Sequence, residues 1–271
     1  LGMRWTKSAE EAIAKVPFFV RKRVRKKIEA EAEAAAATEV TLDHVHAAKQ
    51  HFLKKMEEDV QGYRLEHCFG SGGCPNRILD QNDFPQRIEE ILKKSDLKSF
   101  LESKVNGPLK FHHEFGVSLA DCPNACSRPQ IADVGIIAAA VPVVGANDCT
   151  HCGLCADACQ EKAITVAEGM DAPVIDATAC VFCGQCVKAC PNETLVRGKE
   201  GFRIMIGGKL GRRPRLATEL KGIFAPSEAL QLLERILDFY VAHNQQGERL
   251  GEILERVGVE KIAPLDAAST K

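Results

Sequence analysis

Two cysteine runs near the middle of the chain restrict what it can become more than any other feature. The first reads Cys149-x2-Cys152-x2-Cys155-x3-Cys159, and the second Cys180-x2-Cys183-x2-Cys186-x3-Cys190-Pro191. Two-residue gaps on a tight loop present three thiolates to three corners of a cubane. The fourth cysteine, one helical turn further on, reaches the neighbouring cluster. The spacing therefore predicts two [4Fe–4S] clusters with crossed ligands. Cys149, Cys152, Cys155 and Cys190 hold one; Cys180, Cys183, Cys186 and Cys159 hold the other. Zinc is the competing reading, but zinc sites use two separated Cys-x2-4-Cys pairs rather than two fourfold runs. Gln160 stands where the second run has Pro191, which alters the following turn without removing a ligand. His151 reads as an exposed spacer.

The rest of the composition fits a redox protein of a reducing compartment. The 271 residues carry twelve cysteines, 45% hydrophobic residues, and nearly balanced charge, with 36 Lys+Arg against 37 Asp+Glu. The N-terminus has no basic start, apolar core and small-residue cleavage site, so clustered thiols favour metal over disulfides and a cytoplasmic location is expected. The longest apolar run, Val134 to Ala146, contains Pro142 and is shorter than the ~20 residues of a membrane span. It reads as a buried strand and turn, and no membrane span is expected.

Periodicity divides the chain into three parts and predicts an α+β fold. Residues 1–58 read as a small helical domain. Its first helix is capped by a Ser8-to-Glu11 capping box, its second runs from Pro17 to about Ala37, and its third from Thr41 to about Glu58. Residues 59–146 and 196–271 form a second domain, and residues 147–195 are a ferredoxin-type insert within it. In the second domain one amphipathic helix is expected from Phe84 to Phe100. Strands are expected over Leu109–Phe111, Phe115–Leu119, Val134–Ile137 and Phe202–Ile206, with helices from Ser227 to about Val257 broken near Gly247.

Four cysteines remain: Cys68-x5-Cys74 and Cys122-x3-Cys126. Their spacing alone also admits buried free thiols or a structural zinc. Both pairs lie in Gly- or Pro-rich loops, where backbone N–H groups can point at sulfur, and they complete a set of twelve.

Here a resemblance enters. Cys68-x5-Cys74 with Asp121-Cys122-Pro123-Asn124-Ala125-Cys126 resembles the cluster motif of the sirohaem-dependent sulfite and nitrite reductases. Ser127 through Gly135, Gly207 through Ala217, and Gly247-Glu248-Arg249-Leu250 resemble the dissimilatory branch, in which a ferredoxin insert also occurs. The resemblance covers roughly residues 60–265. It implies a third [4Fe–4S] cluster on Cys68, Cys74, Cys122 and Cys126, with Cys126 bridging to a sirohaem iron. It implies a mixed sheet with helices, reduction of sulfite, nitrite or a related small oxyanion, and a ferredoxin-like donor or redox partner. Full-length members contain two related halves, and this chain matches the cluster-bearing one. A homodimer or a partner would supply the wall that carries the substrate's basic residues. The segment holding Trp5 and Val16 through Glu29 resembles the C-terminal helical domain of the light-independent protochlorophyllide reductases.

Several polar residues carry a functional and a plain reading. Arg128, two residues after Cys126, is placed by the resemblance near the cofactor as a catalytic or anion-binding group. Lys209, Arg212, Arg213 and Arg215 form a basic loop that lines the same cleft or is simple surface charge, and Lys209 and Arg212 are the cofactor-binding candidates. His112-His113 are acid–base candidates, or a strand pair with one side chain buried. The basic run Arg21–Lys27 reads as a solvated helix face, or as a dock for an acidic donor or tetrapyrrole carboxylates. No nucleic-acid motif accompanies it, and Gly207-Gly208 lacks the spacing of a nucleotide loop. Three functions are thus compatible with the sequence: an oxyanion-reducing enzyme, a haem-free electron-transfer subunit, and a tetrapyrrole-binding protein.

Overall fold

The structure is a computed structural model that describes residues 3–167 and 169–262. The expected last stretch of the second domain, residues 263–271, lies outside the described residues. The chain divides into two units, one of residues 1–60 with 107–112, the other of residues 61–106 with 113 onward.

The first unit is a three-helix assembly. A short strand, β1 (Arg4–Trp5), leads into helices α1 (Lys7–Ala14) and α2 (Phe18–Ala34). Strand β2 (Glu39–Val40) pairs in parallel with β1, and α3 (Leu42–Asp59) follows. Ala9, Ile13, Ile28, Ala32, Val40 and Ala48 form its core. The first helix does not use the expected Ser8 capping box. Thr6 holds the extended cap conformation and its hydroxyl accepts from Ala9 N–H at 3.4 Å, so the helix starts before Ser8. Part of the basic run is structural. Arg25 clamps the Glu10 carboxylate with two hydrogen bonds of 2.6 and 2.8 Å and lies 4.2 Å over the Trp5 ring. Arg21 donates to the carbonyls of Ala14 and Val16 at the end of α1.

The second unit is built on a five-stranded mixed sheet. Its chain order is β3 (Tyr63–His67), α4 (Phe84–Lys94), α5 (Leu97–Lys104), β4 (Phe115–Ala120), β5 (Val134–Val144). The insert contributes α6 (Leu154–Asp157), β6 (Ile164–Thr165), β7 (Val174–Ile175) and α7 (Gln185–Ala189). Strands β8 (Leu195–Ile206) and β9 (Thr218–Glu219) and helices α8 (Pro226–His243) and α9 (Leu250–Val257) complete it. The spatial order is β3-β4-β5-β8-β9, with β3, β4 and β5 parallel and β8 antiparallel to both neighbours. Strands β6 and β7 pair separately. The fold is α+β.

Several expected elements change in the structure. The single helix over 84–100 is two, because Asp96 takes a left-handed φ of 44° and turns the chain between α4 and α5. Leu109–Phe111 is not a strand; Phe111–His113 is a 3-10 turn, so His112 and His113 do not alternate across a sheet. Strand β5 runs seven residues past the expected Ile137, straight through Pro142, where the register with β8 shifts. Proline is tolerated there because a bulge removes the need for its missing donor.

The core lies between the sheet and its helices. Phe84, Ile88 and Leu92 recur every fourth residue on α4 and are fully buried, each worth roughly 2 kcal/mol. Phe84 stacks on Phe202 of β8 at 4.2 Å, and Tyr240 of α8 meets Phe115 of β4 at 4.9 Å. Asp133, wholly buried, accepts hydrogen bonds from Gly116 N–H, the Arg249 guanidinium and Leu250 N–H, which ties the start of β5 to α9.

Candidate metal centre

Parallel neighbours β3 and β4 end at the same edge, with His67 in register with Leu119. Ligand sites in sheets of this kind gather at the carboxyl ends of strands. Here those ends deliver Cys68 and Cys122 side by side, and Cys68 N–H donates to Leu119 O at 3.0 Å. The loop after Cys68 folds tightly. Gly70 N–H points at Cys68 Sγ at 3.4 Å, as does Asp121 N–H at 3.2 Å. A Cβ on Gly70 would collide with the Asp121 carboxylate, so only glycine allows this approach. Burial pushes the Cys122 thiol up, and the nearby Cys74, Cys68 and Cys126 add to the shift. All four cysteines thus lie in the loops at this sheet edge.

The insert hangs from a long antiparallel ribbon. Strands β5 and β8 stay paired as far as Val144 opposite Leu195, and the chain between them makes both cysteine runs. The runs repeat at backbone level. His151 and Phe182, each before the second cysteine, are left-handed, as are Gly153 and Gly184 after it. Their N–H groups reach back to Cys149 Sγ and Cys180 Sγ, from His151 and Phe182 respectively, both at 3.4 Å. Lys162 and Glu193, three residues past the fourth cysteine, are also both left-handed, with φ of 52°. Gln160 in place of proline thus leaves the turn unchanged.

Thiols of the two runs act on one another. Burial raises the Cys155 thiol, with Cys190 and Cys149 contributing. Burial pushes Cys186 up to about 11, with Cys183, Cys180 and Cys159 contributing. At Cys190 burial acts upward, but N–H groups of Leu195, Asn192 and Thr194 outweigh it and lower the thiol. Crowded thiols raised in this way call for positive charge, and a bound metal deprotonates them outright. The donor set and the inward N–H groups fit [4Fe–4S] clusters.

One cavity of about 230 Å³ joins two of the groups. Cys159, Cys180, Cys183 and Cys186 line it together with Cys122 and Asn76 from the sheet edge. The insert is folded back along the ribbon to reach this position: Ala140 N–H donates to Phe182 O at 2.8 Å. Ala138, Ala139 and Ala140 on β5 are buried and small, which leaves room for that approach.

Cys126 differs from its three neighbours in being exposed. Arg128 nearby projects outward, with a contact of 3.3 Å to Glu66. The basic loop reaches the same segment: Ala217 N–H donates to Gln130 O at 2.8 Å. Gly208 packs so closely there that a Cβ would lie 2.6 Å from Gln130 O, which accounts for glycine at this position. The loop's basic residues part company. Lys209 is buried and meets Glu252 Oε1 at 2.7 Å, and Arg215 is held by Gly207 O and Glu255. Arg212 and Arg213 are exposed, as are Leu210 and Leu216 beside them.

The sequence did not single out His67, which stands 3.4 Å from Asp121 Oδ1. His67, Cys68 and Asp121 bring ligand atoms within 4.8 Å of one another. Its only sequence signal is adjacency to Cys68. Arg77 is a second such residue, with its guanidinium 3.7 Å from Asp121 Oδ2.

A family model for the nitrite and sulphite reductase 4Fe-4S domain matches residues 63–265. The chain belongs to this family. Over 197 residues it is 33% identical to the coenzyme F420-dependent sulfite reductase of Methanocaldococcus jannaschii, covering 72% of this chain and 29% of that protein. It is 27% identical over 138 residues to a subunit of the anaerobic sulfite reductase of Salmonella typhimurium, covering 45% and 36%. The chain spans about a third of the length of these curated relatives. A solved dissimilatory sulfite reductase I shares the nitrite and sulphite reductase fold, with a TM-score of 0.51 and 19% identity over 73% of this chain and 50% of that one. Residues 5–49 match a second model, that of the proto-chlorophyllide reductase 57 kD subunit. No helix among the described residues is long and apolar enough to cross a membrane.

Proposed function

We propose that this chain is the cluster-bearing half-unit of an enzyme that reduces sulfite, nitrite or a related small oxyanion. Cys149, Cys152, Cys155 and Cys190 hold one [4Fe–4S] cluster, Cys159, Cys180, Cys183 and Cys186 a second, and Cys68, Cys74, Cys122 and Cys126 a third. Bound clusters supply one-electron storage and transfer from a ferredoxin-like donor, and a sirohaem beside Cys126 supplies the iron that takes the oxyanion. The exposed Cys126 thiol is the residue left to face that group, with Arg128 and Arg212 available to its carboxylates or to an anionic substrate. Lys209 is less available for this than Arg212, since its ammonium pairs with Glu252. A partner subunit or a second copy completes the substrate wall.

The observation that carries this reading is that Cys122 lines the same cavity as the second ferredoxin set. A second reading is a haem-free electron-transfer subunit, since a cavity lined by Cys122 and by Cys159, Cys180, Cys183 and Cys186 would serve electron relay without a tetrapyrrole. Cofactor analysis of anaerobically purified protein separates the two. About twelve irons per chain with extractable sirohaem support the reductase. The same iron without a tetrapyrrole supports the subunit, and iron well below this sinks the three-cluster assignment.

A further inference from the structure

The insert is fastened to the sheet edge by side chains that no cysteine pattern explains. Lys188 lies on α7 between Cys186 and Cys190, which belong to different ferredoxin groups. Its ammonium donates to Pro75 O at 3.0 Å and to Arg77 O at 3.4 Å, in the segment that directly follows Cys74. Gln185, one residue before Cys186, donates to Asn76 Oδ1 at 3.4 Å. From β8, Arg197 donates to Ile78 O at 3.1 Å. Four consecutive residues, Pro75 to Ile78, are thus gripped from the insert and its ribbon.

The grip continues to the sulfurs. Arg77, whose carbonyl Lys188 holds, turns its guanidinium to Asp80, Asn82 and Asp121. Asp121 N–H is one of the donors to Cys68 Sγ. One side therefore carries Cys186, the other Cys68 and Cys74, and charged hydrogen bonds set the gap between them. Bonds from an ammonium or guanidinium to a carbonyl are stronger than neutral ones.

We infer that Lys188 and Arg197 are positioning residues that hold the second ferredoxin set at electron-transfer distance from the Cys68/Cys74/Cys122/Cys126 set. The inference rests on the three-cluster reading above. In the step concerned, one electron leaves the second set and enters the third, so the second set is oxidised by one electron and the third reduced by one. No bond is made or broken and no proton moves. Tunnelling falls steeply with distance, so a small slackening of the grip slows this step while leaving each set of four ligands whole.

The test uses the full chain, purified anaerobically, as wild type, K188M, K188R and R197M. Iron content is measured, then arrival of electrons at the third set after mixing with dithionite is followed by rapid-freeze EPR. The expected result is wild-type iron in K188M with electron arrival slowed several-fold, since tunnelling weakens with each added ångström. K188R, which keeps a cationic donor, restores most of the rate. Wild-type iron with a wild-type rate in K188M overturns the inference. If K188M loses iron, R197M is decisive, and an unchanged rate there overturns it equally. A wild type holding about eight irons instead of twelve would overturn the three-cluster reading itself, which the variants do not bear on.

Discussion

Asp121 N–H points at Cys68 Sγ across 3.2 Å, joining the residue after strand β4 to the residue after strand β3. The pairing follows from parallel strands that end level, and it makes the loop after Cys68 sensitive to anything that lifts it from Asp121. Gly70 is where that sensitivity is greatest. A Cβ added there would run into the Asp121 side chain, so G70A forces the two apart. The expected outcome is loss of about four of twelve irons with the insert's eight retained, read by iron and sulfide assay with EPR.

Cys126 is the exposed member of its set and the one assigned to the shared position. C126S should remove sirohaem and oxyanion reduction together while the insert clusters still accept electrons from dithionite. Retained sirohaem and activity would rule out the bridging role. Absorption spectra before and after acid-acetone extraction decide it.

The buried pair of Asp133 and Arg249 holds β5 against α9, and Asp133 has no exposed surface. D133A removes the carboxylate that the Arg249 guanidinium meets in the core. Breaking a buried pair from one side costs roughly 3–5 kcal/mol, so urea unfolding should shift by that amount. A change below about 1 kcal/mol would mean that solvent reaches Arg249.

Glu252 carries a pH signature. Burial acts to raise its carboxyl, but hydrogen bonds from Lys209 and from Arg249 N–H outweigh it and hold the pKa below the usual 4.5. A depressed folded value means that the stabilisation is full above about pH 4.5 and disappears as pH falls through the folded pKa. The difference in stability between wild type and E252Q should therefore be constant near neutrality and shrink in acid. A gap that does not shrink as pH falls below about 4.5 would show that the Lys209 contact is not what stabilises the carboxylate.

Much of this protein was legible because its informative signals are local. The likeness of the two cysteine runs could be anticipated because their spacing is the same, and the left-handed residues recur at matching places in both. Helices α2, α3 and α8 were visible for the same reason: their apolar pattern repeats within a few residues. The break at Asp96 was not, since apolar spacing continues across it and only the backbone turn separates α4 from α5.

What the sequence by itself determined is the supply of chemistry: twelve thiols, their division into runs and pairs, and an alternation of helices with strands. What only the tertiary structure decided is who meets whom across long separations. Lys209 and Arg212 look alike in the chain, yet one is buried on Glu252 and the other faces outward. Cys122 lines one cavity with Cys159, Cys180, Cys183 and Cys186 because β5 runs through Pro142 and carries the insert back along β8. Lys188 reaches Pro75 across more than a hundred residues for the same reason. Spacing fixes contacts within a turn or a loop, whereas contacts between distant segments depend on strand order and register, which no local pattern encodes.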